Sequence, residues 1–442
     1  MPIAIAPDQP DHGIFSGSAV VDVNNTSGFF DISVPAQERI VAMYTLNTPT
    51  SQTQEIAYSL DGGTSFLKYR GNPVIDVNST QFRDPKVFFH SQTNQWIVAT
   101  VLAQQYQVVF YASPDLKNWT ELSRFGPAGY LGFQYEVPDL VQIPIEGTNE
   151  SKWVLFLSIN PGAPQGGSFV QYFIGEFDGK HFKPDDYSIG IQDFGKDFYA
   201  SQTWSNLPPE QGVVGLAWAN NWDYTNSVPV SGAWRTIQTL ARTLTLRRTY
   251  TNPEVQRLVV ASALISLHHV SPTNVYADIP LSGHAAIDLN ITTTSATSDI
   301  MNATTLITIE SSDSGFYEAI IIGVRNSMVW IDRENAPRNW RMPFFSTKLS
   351  TFVQTLPVNS DSAPVKLRAV IDRSVLELFI NDGVQSAVVL FYMSCGRKPD
   401  NINVRVSEGM SAVVSATSLR GIWQCGNCSN SAQFMINERD EL

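Results

Sequence analysis

The first 250 residues repeat themselves, and that repeat limits the fold more than composition does. A strand at Asp84-Pro-Lys-Val-Phe88 is followed by Gln95-Trp-Ile-Val-Ala-Thr100, by Gln107-Val-Val-Phe-Tyr-Ala-Ser113, and by a turn and strand at Pro114-Asp-Leu-Lys-Asn-Trp119. The order returns as Pro138-Asp-Leu-Val-Gln142, Lys152-Trp-Val-Leu-Phe-Leu157, Phe169-Val-Gln-Tyr-Phe-Ile-Gly175 and Phe177-Asp-Gly-Lys-His-Phe182. The turn also occurs earlier, as Ser59-Leu-Asp-Gly-Gly-Thr-Ser-Phe66, so Asp61, Asp115 and Asp178 lie 54 and then 63 residues apart. The runs are short, alternating or β-branched, and bounded by Gly, Asn, Asp or Pro, which marks strands; long helical periodicity is nearly absent. Four strands per roughly 50–60 residues describe a propeller blade with long loops.

Counting units yields four blades, over about 13–70, 80–125, 133–185 and 190–250. A closed four-bladed ring and a five-bladed ring with its first blade largely missing fit this count equally. After Thr251-Asn-Pro-Glu254 the repeat stops. The remainder reads as a second all-β unit, a β-sandwich with Ser/Thr-dense turns. Its clearest strand pair is Val365–Asp372 and Val375–Ile380, ended by Asn381-Asp-Gly383. The expected organisation is an incomplete propeller over 1–255 and a sandwich over 256–442, with an atypical tail after about residue 420.

Charge narrows the partners. The net charge of −12 argues against nucleic acid or an anionic membrane. No run of 18 apolar residues is present, so no spanning helix is expected. Charged residues make up 16% of the chain, under the roughly 25% of an average soluble protein, and aromatics reach 11%. That balance suits a neutral sugar, whose C–H faces stack on rings, as well as any β-rich core.

The opening Met1-Pro2-Ile3-Ala4-Ile5-Ala6-Pro7-Asp8 has neither the basic start nor the apolar run of a secretory leader. Sequons nonetheless begin at Asn24, Asn25, Asn78, Asn118, Asn149, Asn290, Asn302 and Asn427, which points to the secretory pathway. A missing N-terminal segment reconciles the two. The ending Arg439-Asp-Glu-Leu442 is close to a K-D-E-L retrieval signal and opens endoplasmic-reticulum retention as an alternative. Cys425 and Cys428 have C-x-x-C spacing without the second pair that zinc requires, so no metal is expected. A local disulfide and two free thiols both fit them, and Cys395 stands alone.

Inner propeller strands point their starts into a central funnel, so polar residues there are candidates for chemistry. Phe82-Arg-Asp-Pro85 places Asp84 before a proline, which favours extended backbone at the aspartate, with Arg83 beside it to hold the carboxylate ionised. Gly132-Phe-Gln-Tyr-Glu-Val-Pro-Asp-Leu140 sets Glu136 in an aromatic, apolar run, which would raise a carboxyl pKa toward that of a general acid. A surface ion pair at Asp84 and a solvated strand face at Glu136 are the alternatives. Two carboxylates at equivalent positions of adjacent blades would supply the pair a glycosidase needs.

At these residues the chain resembles glycoside hydrolase family 32, and within it the yeast and fungal invertases. The resemblance runs through Phe15-Ser-Gly-Ser18, Asn25-Thr-Ser-Gly-Phe29, Tyr58-Ser-Leu-Asp-Gly-Gly63, Ser79-Thr-Gln-Phe-Arg-Asp-Pro-Lys-Val-Phe88 and Gln134-Tyr-Glu136. It continues in Ser158-Ile-Asn-Pro-Gly-Ala-Pro164, Ala217-Trp-Ala-Asn-Asn-Trp-Asp-Tyr224 and Val370-Ile-Asp-Arg-Ser-Val-Leu-Glu-Leu-Phe379. It implies a five-bladed propeller followed by a sandwich, and retaining cleavage of terminal β-fructofuranosides such as sucrose, possibly also inulin. By resemblance Glu136 is the acid/base and Asp84 the transition-state stabiliser. Arg83 tunes the pair. Phe15, Ser16, Gln81, Gln134, Asn160 and Trp218 contact the sugar. No metal or organic cofactor is implied. The partner is a small sugar, and oligomeric state is left open, with a homo-oligomer one outcome.

Two departures stand out. Val137 occupies a position where the family often has cysteine, which would shift the acid's pKa without removing its role. The Asn-Asp-Pro-Asn-Gly motif that carries the family's nucleophilic aspartate is absent, and no N-D-P occurs anywhere in the chain. The resemblance puts that motif on the first blade, so Met1 would match an interior position, the chain as given would lack its nucleophile, and little or no hydrolysis would follow. A non-catalytic protein that binds sucrose or fructan is the rival reading.

Overall fold

The computed structural model describes residues 3–229, 235–252, 254–265, 273–274, 278–280, 286–295, 304–311, 317–325, 328–336, 342–353, 364–394, 399–407 and 410–419. Cys395, Cys425, Cys428, the sequons at Asn302 and Asn427 and the ending at 439–442 lie outside them.

Strands carry almost all of the regular structure. Sheet one runs β1 (Gly13–Val21), β2 (Ile40–Asn47), β3 (Gln52–Ser59), β4 (Leu67–Lys68) in spatial order. Sheet two runs β5 (Phe82–His90), β6 (Gln95–Leu102), β7 (Gln107–Ser113), β8 (Thr120–Phe125). Sheet three holds β9 (Tyr135–Pro144), β10 (Ser151–Ile159), β11 (Phe169–Phe177) and β12 (Phe182–Pro184), with β13 (Gly190–Ile191) beside β11. Sheet four holds β14 (Tyr199–Thr203) and β15 (Val213–Ala219), with β16 (Ile237–Gln238) beside β15, then β17 (Arg242–Asn252) and β18 (Val255–Leu264). The β17–β18 hairpin carries this sheet to Leu264, past the 255/256 boundary expected from the repeat.

Period-2 alternation explains how these sheets stack. On β6, Trp96, Val98 and Leu102 enter the core shared with sheet one, whereas Ile97, Ala99 and Val101 enter the core shared with sheet three. Both faces are buried, so the strand reads as one apolar run instead of an alternating one. Sheet three uses Val154, Phe156 and Val170 in the same way against Ala217, Leu244 and Leu246 of sheet four. The repeated aspartate closes the turn before each outermost strand. Ser59 and Ser113 hydroxyls donate to Asp61 Oδ1 at 2.7 Å and Asp115 Oδ1 at 3.0 Å. Backbone N–H groups of Ser65, Lys117 and Lys180 bond Asp61, Asp115 and Asp178 at 2.9, 3.0 and 2.8 Å.

The remaining strands form two six-stranded antiparallel sheets. The first has β19 (Thr273–Asn274), β30 (Met410–Leu419), β21 (Ala286–Ser295), β26 (Val365–Asp372), β27 (Val375–Ile380) and β28 (Gln385–Leu390), in that order. The second has β20 (Asp278–Pro280), β29 (Asn401–Val406), β22 (Thr304–Ser311), β23 (Glu318–Arg325), β24 (Met328–Asp332) and β25 (Lys348–Phe352). Leu289, Leu367 and Leu378 of the first sheet meet Ile307, Ile320 and Ile322 of the second in one core, the architecture of a sandwich. The strand pair read from the sequence is present with the same limits. Asn381, Asp382 and Gly383 turn with φ of 48°, 58° and 89°, the left-handed backbone that Asn, Asp and Gly tolerate.

What positions the site is the order of the inner strands. β1, β5, β9 and β14 each begin a sheet, and β5 touches β1 and β9 while β14 touches β9. The openings of β5, β9 and β14 converge, joined by Arg83, Glu136 and Tyr199.

Candidate active site

β5, β9 and β14 open with the same local event. Ladder register breaks between Arg83 and Lys86, opposite Glu136 to Asp139, and between Tyr199 and Gln202. Inside each break one residue has a left-handed φ: Asp84 at 63°, Val137 at 48° and Ala200 at 52°. For a β-branched valine that is a true outlier, and such backbone persists only where surrounding bonds hold it. Bulges of this kind re-aim the side chain beside them. β1 has its own break between Phe15 and Gly17, and a Cβ on Gly17 would sit 2.0 Å from the Met43 carbonyl oxygen.

Two sequence expectations change here. Asp84 is left-handed, not extended, despite Pro85, because the bulge outweighs the pre-proline preference. Nor do the two carboxylates occupy equivalent positions. Asp84 corresponds to Val137 and Ala200, while Arg83, Glu136 and Tyr199 correspond to one another as the residues just before each bulge. Bulges at matching positions of three strands thus bring the unlike side chains of Arg83, Glu136 and Tyr199 together.

They do meet. Glu136 Oε1 accepts from Arg83 Nε at 3.3 Å and Nη2 at 3.2 Å, and Oε2 accepts from the Tyr199 hydroxyl. Burial and the Glu136 charge hold the Tyr199 hydroxyl well above its ordinary pKa, so it stays a donor. The apolar setting expected for Glu136 belongs to its neighbour. Tyr135 points into the core between sheets two and three, whereas the Glu136 side chain is 18% exposed and polar-lined. Arg83 is saturated by glutamines as well: its Nη1 donates to Gln81 Oε1 at 2.9 Å and Gln52 Oε1 at 3.2 Å, and its Nη2 to Gln134 Oε1 at 2.9 Å.

Asp84 is 4% exposed. Its N–H donates to Thr45 Oγ1 at 3.0 Å, and its Oδ2 accepts from Val137 N–H at 3.0 Å. Burial and the nearby Glu136 charge push its carboxyl up to about 7, against the pull of the Val137 N–H and Arg83. Asp84 Oδ2 lies 4.0 Å from Arg83 Nε and Glu136 Oε1 3.3 Å from the same nitrogen. The carboxylates thus share one funnel mouth, inside the roughly 10 Å beyond which a glycosidase pair cannot work together.

The other candidates fall at graded distances. Asn160 follows β10 and donates its N–H to the Gln134 carbonyl at 3.4 Å. Trp218 on β15 lies 6.3 Å from the Tyr199 ring and 5.1 Å from Trp222, extending an aromatic wall outward. Phe15 and Ser16 stand exposed at the β1 bulge. Among the described residues neither bonds the cluster. Their strand is fastened to it by Ser18, whose hydroxyl donates to the Pro85 carbonyl at 2.9 Å and accepts the Val87 N–H at 2.9 Å.

Tyr199 and Gln52 went unread in the sequence. Tyr199-Ala-Ser201 opens the fourth inner strand just as Arg83-Asp-Pro85 opens the second, so the repeat held a signal for the tyrosine. Gln52 left none. A deeper layer was missed too: Lys86 Nζ lies 3.3 Å from Asp139 Oδ1 and donates to the Thr203 carbonyl at 2.5 Å, tying β5, β9 and β14 beneath the site. No group of three or more His, Cys, Asp or Glu side chains is placed to share a metal among the described residues.

Comparison with known proteins meets this geometry from outside. The N-terminal domain model of glycosyl hydrolases family 32 matches residues 1–258, and the family's C-terminal model matches 246–420. An extracellular exo-inulinase of Meyerozyma guilliermondii is 42% identical over 435 residues, covering 94% of this chain and 84% of its own. An invertase of Debaryomyces hansenii is 44% identical over 427 residues, covering 91% and 78%. The solved β-fructofuranosidase of Schwanniomyces occidentalis, complexed with fructosyl-erythritol, superposes with a TM-score of 0.89 at 40% identity, over 95% of this chain and 86% of that one. The exo-inulinase of Aspergillus awamori follows at 0.81 and 27%, over 93% and 85%. Sequence and fold agree along nearly the whole length: this chain is a member of glycosyl hydrolase family 32, an all-β propeller followed by a β-sandwich.

Proposed function

We propose that the funnel binds the fructosyl unit of sucrose- or inulin-type β-fructofuranosides, with Glu136 as acid/base and Asp84 gripping fructose hydroxyls. The observation that carries this is the convergence of Asp84 and Glu136 on Arg83, one carboxylate buried and the other partly exposed. In a retaining reaction Glu136 gives its proton to the glycosidic oxygen as the bond to the anomeric carbon breaks, and a separate carboxylate takes that carbon. Water, deprotonated by Glu136, then displaces the carboxylate and releases fructose. Gln81, Gln134 and Asn160 supply polar contacts, Phe15 and Ser16 line the entrance, and Trp218 offers a stacking face. Names of sugar-bound neighbours support this reading, one being complexed with fructose and another with fructosylnystose.

The attacking carboxylate is the missing part. Among the described residues no third carboxylate bonds Arg83, Asp84, Glu136 or Tyr199, and the chain contains no N-D-P. Our reading is that these 442 residues bind fructosides without turning them over. The exo-inulinase relative is extracellular, and six sequons at described positions support a secretory origin for this chain as well. The test is release of reducing sugar from sucrose and from inulin by the 442-residue chain beside its Glu136→Gln variant. Equal, background rates are expected. Robust turnover that disappears in Glu136→Gln would overturn the claim of a missing nucleophile while upholding the acid/base role.

A further inference from the structure

We infer that Arg333, a sandwich residue, is a positioning residue for Glu136, acting through the segment 193–199 that leads into β14. The inference rests on the reading of Glu136 as acid/base. β28 is the edge strand of its sheet, and this segment covers that edge. Phe194 N–H donates to the Ser386 carbonyl at 2.8 Å and Asp197 N–H to the Val388 carbonyl at 3.1 Å. In return Asp193 Oδ1 accepts from Val388 N–H at 2.7 Å, and Asp197 Oδ2 from Leu390 N–H at 2.8 Å.

Arg333 locks the arrangement. It is fully buried, with Nη1 donating to Asp197 Oδ2 at 2.8 Å and to the Leu390 carbonyl at 2.6 Å. Its Nε donates to the Ser346 carbonyl at 2.8 Å, its Nη2 to the Tyr224 hydroxyl at 3.4 Å, and its plane lies 3.4 Å from the Phe345 ring centroid. The Tyr224 hydroxyl donates in turn to Asp197 Oδ1, so both carboxylate oxygens are held.

Asp197 stands two residues before Tyr199, a span of at most roughly 7 Å. Phe198 between them is buried in the core shared by sheets three and four, with the Arg242 guanidinium 5.0 Å from its ring. The next residue after Tyr199 is Ala200, whose left-handed φ of 52° needs fixed surroundings to persist. Arg333 supplies that fixity from the sandwich side. Tyr199 passes it on through its bond to Glu136 Oε2.

The test reads the Tyr199 hydroxyl proton by NMR in the 442-residue chain, identified by its loss in Tyr199→Phe. Arg333→Lys keeps the charge but not the fork. It is expected to speed exchange of that proton about tenfold, the loss of one charge-assisted bond's support, while unfolding stays cooperative. Phe345→Leu, which keeps an apolar side chain beside Tyr224 but removes the ring from the Arg333 guanidinium, takes over if Arg333→Lys fails to fold. An unchanged exchange rate in a folded variant, or no slow Tyr199 proton in the parent, overturns the inference. Fructose titration supplies the second arm: Arg333→Lys weakens affinity in the parent and adds nothing in the Tyr199→Phe background. Full additivity counts against action through Tyr199. Absence of fructose binding in the parent counts against the sugar reading alone, and the exchange comparison still decides this one.

Discussion

Arg83 and Arg242 are both buried arginines between two carboxylates, yet only one of the two clusters is open. Arg242 bonds Asp193 Oδ2 at 3.2 Å, Glu377 Oε2 at 2.8 Å and Ser386 Oγ at 3.0 Å, and the Phe198 and Phe379 rings flank it at 5.0 and 4.8 Å. Every carboxylate oxygen there has a donor, Glu377 Oε1 from Leu240 N–H and Asp193 Oδ1 from Val388 N–H. Around Arg83, Asp84 Oδ1 receives no hydrogen bond among the described residues, and Glu136 is partly exposed. Burial of charge alone does not mark a site. Burial raises the Glu377 carboxyl of the closed cluster too, so what sets the Arg83 cluster apart is the spare Asp84 acceptor beside a partly exposed Glu136.

The largest effect that could break this contrast is mechanical. Arg242→Met strands two buried carboxylates and is expected to cost about 3–5 kcal/mol in urea unfolding. Arg83→Met should cost about half as much, because Glu136 can turn to water and three of the remaining partners are neutral glutamines. Equal costs would dissolve the distinction.

Next comes pH. Asp84 has a folded pKa near 7, above the unfolded carboxyl value, so the native state binds the extra proton between about pH 4 and 7. Stability contributed on the acid side is therefore lost as pH rises through that window. The loss is on the order of 3 kcal/mol, softened by coupling to Glu136. Asp84→Asn should flatten the curve. A parent profile that rises from pH 4 to 7 while Asp84→Asn stays flat would contradict the assignment.

The smallest effect sharpens the contrast from the outer turns. Asp115→Ala removes the acceptor for Ser113, Lys117 and Asn118 and should cost about 1 kcal/mol without altering sugar affinity. A changed fructose affinity would mean that the blade rim communicates with the funnel.

The outer turns were the easiest part to read. Asp61, Asp115 and Asp178 recur because one side chain closes one turn, a local event with a local signal. The strands on β6 were readable for the same reason. Asp84 and Glu136 were legible as candidates because polar residues at the starts of inner propeller strands are the ones expected to face a common funnel. Their relation was not, since Glu136 precedes its bulge while Asp84 sits inside one, and where a bulge falls depends on strand pairing. Tyr199 and Lys86 depend on contacts between residues 63 and 117 positions from their partners, a range over which a single sequence carries no register.

One titration tests the central claim most directly: tryptophan fluorescence of the 442-residue chain against fructose, with Asp84→Ala beside it. The Trp218 ring lies 6.3 Å from that of Tyr199 and 5.1 Å from that of Trp222, so a saturable change in the parent that is lost in the variant is expected. A signal of equal amplitude and midpoint in both proteins would place the sugar elsewhere and contradict the site.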